Sequence, residues 1–123
     1  MKITRFEDIE AWQIGRDLCI SVYNAVKGEK FSKDYGLKDQ VTRASVSIMA
    51  NIAEGFDAGS RAEFIRFLVY AQRSASELQS ELYVALDQGY ISRNEFDTIY
   101  SLADKARSKI GAFIKYLKQV TKN

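Results

Sequence analysis

The chain contains no proline and no histidine, and it has a single cysteine and a single tryptophan. Each shortage removes a class of protein. Proline breaks helix interiors and shapes many loops, so its absence, alongside abundant Ala, Ser, Lys and Glu, points to long helices with short connections. Lack of histidine takes away much of the usual catalytic and metal-binding chemistry. Carboxylate-bridged di-iron bundles draw on Glu-x-x-His pairs, and helical ribonuclease modules that place His shortly after Arg cannot be built either. A lone Cys19 cannot close an internal disulfide or, with no histidine to help, hold zinc. It reads as a small apolar side chain on the first helix with no base beside it.

Other absences narrow the function. No apolar run approaches membrane-spanning length, and the opening MKITRFEDIEAW lacks an uninterrupted apolar stretch, so no membrane partner and a cytoplasmic location are expected. Gly55 and Gly59 are not followed by the Lys-Ser/Thr of a phosphate loop. The helical serines Ser45, Ser47, Ser74, Ser76 and Ser80 are explained by small size. No catalytic residue, metal or cofactor is expected, and the protein is read as a non-enzyme.

What is present is a chain of 123 residues with 46% apolar and 28% charged side chains, enough for one domain over 1–123 with a core of its own. From Glu7 to Lys27, Ala11, Trp12, Leu18, Cys19, Val22 and Val26 recur at helical spacing, with Gly28 as the stop. Phe31 and Tyr35 in the first connection are candidate plugs over the bundle end. A second helix runs from Asp34 to Gly55 or slightly beyond. Its Leu37, Val41, Ala44, Ile48 and Ile52 form one apolar stripe, and Val46, Met49 and Ala53 form another. Two stripes and many small residues imply close backbone approach and a second face for another subunit.

Capping-box patterns at Ser60-Arg61-Ala62-Glu63 and Ser92-Arg93-Asn94-Glu95 open the third and fourth helices. The third follows Phe64, Leu68, Ala71, Ala75, Leu78, Leu82 and Ala85 to Gly89. The fourth follows Phe96, Ile99, Ala103, Ala106, Ile110, Phe113, Leu117 and Val120. Short links force antiparallel neighbours. The expected fold is all-α, an antiparallel up-down-up-down four-helix bundle.

Two polar constellations stand out. Gln40, Arg43, Ser47, Asn51 and Glu54 make a seam on the second helix, expected to be a hydrogen-bonded network and weighed as an oligomer or register device above a catalytic one. The other is charge. Residues 1–104 carry 12 basic and 16 acidic side chains, whereas 105–123 carry six basic and none acidic. Arg107, Lys115, Lys118 and Lys122 lie on one flank of the last helix, and Lys105 and Lys109 on the other. Arg66 and Arg73 share a face of the third helix, where Arg73 and Glu77 are spaced to pair. An anionic partner, RNA or DNA, is one reading; a solvated helix end is the other. Tyr116 is the one exposed-looking aromatic near these cations, so base stacking is not indicated.

Tyr35-Gly36-Leu37, Gln40, Arg43, Ser45-Val46-Ser47-Ile48 and Asn51-Ile52-Ala53-Glu54-Gly55 resemble the signature of four-helix-bundle proteins encoded in intervening sequences of bacterial 23S ribosomal RNA genes. The onward spacing to Phe64, Phe67-Leu68, Ala71, Ser74 and Glu77-Leu78 is similar, as is the opening Phe6-Glu7-Asp8-Ile9-Glu10-Ala11-Trp12-Gln13. Met49, and Ser32 or a neighbour, stand where family members commonly have proline. The resemblance implies a homopentameric ring. It also implies kinship with the accessory variability protein of diversity-generating retroelements, whose ring binds nucleic acid and a reverse transcriptase through basic surfaces. The functions to compare are then an oligomeric nucleic-acid-binding protein, a scaffold for a ribosomal or polymerase partner, and an enzyme, which would need an open anion cleft around Arg43, Asn51 and Glu54.

Overall fold

The computed structural model describes residues 2–121. Helices α1 (Glu10–Ala25), α2 (Tyr35–Asp57), α3 (Arg61–Asp87) and α4 (Arg93–Thr121) carry the chain, with 3-10 turns at Phe6–Asp8 and Phe31–Lys33 and no strand among the described residues. Helices consecutive in sequence pack on one another, and α1 closes the bundle against α4. Gln72 meets Arg107 while Gln79 meets Tyr100 and Asp104, so α3 and α4 run in opposite senses. The fold is the expected all-α antiparallel bundle.

The apolar stripes of the four helices converge on one core. Leu18, Ile48, Ile52, Leu68, Leu78 and Ile110 are shut off from water, each contributing roughly 1.5–3 kcal/mol through burial. The buried seam of α4 drifts by one residue near its end, where Ile114 is buried and Phe113 only half-buried. A straight helix turns slightly less in seven residues than two full turns, so the lag accumulates over several turns and the seam moves on by one residue.

Helix ends follow local chemistry closely. Ser92 Oγ accepts from the Glu95 amide at 3.0 Å while Glu95 Oε1 accepts from the Ser92 amide at 2.9 Å, a full capping box. Ser60 accepts from the Glu63 amide at 3.1 Å, but Glu63 turns to Arg66 at 2.8 Å, so only half of that box forms. Gly89, at φ 75°, ends α3 with the paired bonds Gly89 N–H to Leu86 O and Tyr90 N–H to Ala85 O, both characteristic of a left-handed glycine cap.

As expected, α2 runs slightly beyond Gly55, which lies inside the helix, and Gly59 at φ 91° makes the turn. A Cβ at Gly55 would sit 2.9 Å from both Phe64 Cδ1 and Phe67 Cβ, so glycine there lets α2 and α3 touch. Two expectations shift. α1 ends at Ala25, before Gly28, which has no left-handed φ. Tyr35 is 76% exposed and plugs nothing. Phe31 is buried instead beneath Tyr90, with ring centroids 5.3 Å apart. Tyr90 donates its hydroxyl to Asp34, the residue that caps α2, at 2.9 Å.

Candidate functional site

The basic residues of α4 divide, but Lys105, expected on the far flank with Lys109, lines the same groove as Arg107. Arg107, Lys115 and Lys118 border an open groove between α3 and α4 that Gln72 and Gly111 floor; one part, with Lys105 also on its wall, measures about 640 Å³, and the adjoining part about 510 Å³. Glycine at 111 keeps the floor low, because a Cβ would come within 3.1 Å of Gln72 Nε2. Lys109 turns the other way and reaches Glu10 of α1 at 3.3 Å. Lys122 lies outside the described residues.

A satisfied polar cluster anchors the groove. Gln79, 5% exposed, donates from Nε2 to Asp104 Oδ1 at 3.0 Å and accepts from Arg107 Nη1 at 3.1 Å. Arg107 also lies 3.5 Å from Asp104. The guanidinium is therefore held in place, while Lys105, Lys115 and Lys118 are exposed, with no ion pair among the described residues.

Arg66 and Arg73 are exposed but do not wall this groove. Arg66 pairs with Glu63 at 2.8 Å and lies over the rings of Phe67 and Tyr70, 5.7 and 6.0 Å from their centroids. The expected Arg73–Glu77 pair does not form, which is consistent with the few tenths of a kcal/mol, roughly, that such an exposed pair offers. Glu77 acts instead on Glu81. One Glu81 oxygen is buried with no hydrogen-bond partner among the described residues. Its carboxyl is pushed up to about 7, first by loss of solvent and then by the Glu77 charge.

The α2 seam separates into pieces. Ser47 and Ser74 share a hydrogen bond of 2.8 Å, and Asn51 Nδ2 donates to Ser47 Oγ at 2.9 Å and to Ser47 O at 2.8 Å. Arg43 pairs with Asp39 one turn back at 2.8 Å, its side chain 79% exposed. Gln40 and Glu54 are exposed and outside the cluster. Arg43 and Glu54 are eleven residues apart on one straight element, ~16 Å along the axis, so Arg43, Asn51 and Glu54 do not converge on one cleft.

The second apolar stripe of α2 remains partly uncovered. Val46 is 42% exposed, and Met49 and Ala53 are half-buried. On α1, Ile20 and Tyr23 are exposed too. Cys19 Sγ donates to Met49 Sδ at 3.5 Å, tying the two helices together beneath this face. Burial pushes the Cys19 thiol up, opposed in part by a hydrogen bond with Ser45.

Tyr116 is exposed as expected, but it is not alone: Tyr23, Tyr35, Tyr70 and Tyr83 are exposed as well. Tyr83 is the one that packs onto α4, and its position at an i+4 step from Gln79 was the available signal. Among the described residues no helix is long and apolar enough to cross a membrane.

Comparison with known proteins agrees with this architecture. Residues 7–112 match the family described as 23S rRNA-intervening sequence protein. A crystal structure of a protein of unknown function from the S23 ribosomal protein family of Bacteroides thetaiotaomicron is similar, at 26% identity and a TM-score of 0.79, over 85% of this chain and 98% of that one. No curated protein matches the chain. With four antiparallel helices in place and the family match spanning most of them, the chain belongs to the 23S rRNA-intervening sequence protein family.

Proposed function

We propose that this protein is a non-enzymatic, ring-forming nucleic-acid-binding protein, in which five copies associate through the α1–α2 face and present α4 to a polyanion. The observation that carries the reading is the α3–α4 groove, with Arg107, Lys115 and Lys118 on its borders. Repetition of one modest basic patch around an axis multiplies the potential that a nucleic acid meets. Support for self-association comes from exposed Val46 and Ile20 on adjacent helices, apolar surface that a second copy would cover.

Lys115→Glu combined with Lys118→Glu should abolish RNA binding in a gel-shift titration while leaving the oligomer intact. A double variant that binds RNA as well as the parent overturns the assignment to α4. If neither the parent nor the double variant binds RNA and both capture a protein partner equally, the chain is a scaffold. Light scattering reports assembly: Val46→Glu should dissociate the ring, and a parent of monomer mass near 14.0 kDa would refute the interface.

A further inference from the structure

Resting on the nucleic-acid reading and deepening it, we propose that the α3–α4 seam holds a single strand, with phosphates along Arg107, Lys115 and Lys118 and a base stacked on Tyr83. Contacts between α3 and α4 link Tyr83 to the groove through Tyr100, Gln79 and Asp104. At one end Tyr83 packs against Phe96 and Tyr100, with ring centroids at 4.9 and 5.9 Å, and Phe96 and Tyr100 stack on each other at 5.3 Å. Buried Phe96 and half-buried Tyr100 therefore brace Tyr83, which keeps 49% of its own surface open to water. A braced, half-exposed ring offers a π face at little further ordering cost, which is what base stacking uses.

From this platform the seam passes through the Gln79–Asp104–Arg107 cluster and into the basic groove over Gln72 and Gly111. Steps of four, three and four place Gln72, Ser76, Gln79 and Tyr83 on the stripe of α3 that borders α4, and none of them is acidic. Among the described residues Asp104 is the one carboxylate on the groove wall, and Gln79 and Arg107 both engage it. A phosphate chain thus meets cations on α4 with no free acid facing them from α3. Tyr100, beside Tyr83, and Lys118 are eighteen residues apart on one helix, ~27 Å. That length takes about eight nucleotides at the stacked rise of ~3.4 Å, and fewer when extended. A paired duplex has no free base face to set on Tyr83, so the occupant is a single strand.

The test uses the full chain with fluorescently labelled oligouridine and oligothymidine of about ten nucleotides, and a duplex of the same length. Single strands should bind more tightly than the duplex. Tyr83→Leu, which keeps bulk against Phe96 and Tyr100, should weaken single-strand binding about 5- to 100-fold, leave duplex binding and the salt slope unchanged, and be rescued by Tyr83→Phe. Tyr116→Leu, an exposed ring off the seam, should bind like the parent. Photo-crosslinking of a bromouracil strand to the unaltered protein needs no variant, and adducts should fall within residues 72–83 of α3 and 96–118 of α4. Oligouridine favoured over oligothymidine identifies RNA as the occupant, and equal binding a strand of either sugar. Single-strand binding unaffected by Tyr83→Leu, preference for duplex, or crosslinks confined to α1 and α2 overturns the inference while leaving nucleic-acid binding standing. Failure of the parent to bind any of these ligands removes both.

Discussion

Replacement of Gly55 by alanine sets two effects of opposite sign against each other. Alanine is the better helix former by about 1 kcal/mol in a helix interior. The added methyl would meet Phe64 Cδ1 and Phe67 Cβ at 2.9 Å and Phe64 O at 3.3 Å. Two of those atoms belong to or adjoin the α3 backbone, so no side-chain rotation relieves them and the helices must separate. Overpacking of this kind costs about 1–3 kcal/mol, and the rigid neighbours place this site at the upper end. The net expectation is a loss of about 2 kcal/mol, or about 6–12 °C in melting temperature for a chain of this size. Gly36, in the first turn of the same helix, is the control, because the nearest atom to an added Cβ there is Asp34 Oδ1 at 3.9 Å. Gly36→Ala should be neutral or stabilising by about 0.5 kcal/mol. Thermal unfolding followed by far-UV circular dichroism, at one protein concentration to hold assembly constant, separates them. A Gly55→Ala variant as stable as the parent would refute the close-approach argument.

Glu81 and the small α2–α3 cluster give further expectations. The folded-state pKa of Glu81 is raised from 4.5 to about 7, so its neutral form suits the fold; stability is fully present below about pH 4.5 and lost as pH rises through 7. Glu81→Gln should therefore stabilise the protein by about 1–2 kcal/mol near pH 8, allowing for partial exposure, and by little near pH 5, as read from urea unfolding at the two pH values. A pH-independent difference would sink that assignment. Ser47 and Ser74, joined at 2.8 Å across the helices, should couple by about 0.5–1.5 kcal/mol in a double-alanine cycle; additive effects would mean that the bond contributes nothing.

The sequence made the bundle legible because its signals are local. Ser92 with Glu95, Gly89, and the three-and-four spacing of α3 each act within one or two turns of themselves. Features that depend on a neighbouring helix were harder to read. Gly55 is marked in the sequence, but its role rests on Phe64 and Phe67 across the hairpin. Tyr90 and Asp34 are 56 residues apart, and nothing near either one signals their hydrogen bond. Arg43 has a partner one turn away in Asp39, and that nearby carboxylate draws it out of the seam that its spacing suggested. The basic flank of α4 was visible as a charge run, but the groove beside it requires Gly111 and Gln72 to face each other. Tyr83 lacked the charge context that would have marked it, because its cations come from another helix.

The claim that α4 binds a polyanion is met most directly by titrating structured RNA with the full chain across a range of monovalent salt. The account predicts a log affinity that falls linearly with log salt as counterions are released, with a slope made shallower by about 1–2 in Lys115→Gln/Lys118→Gln. Absence of binding at low salt, or an affinity indifferent to salt, would contradict it.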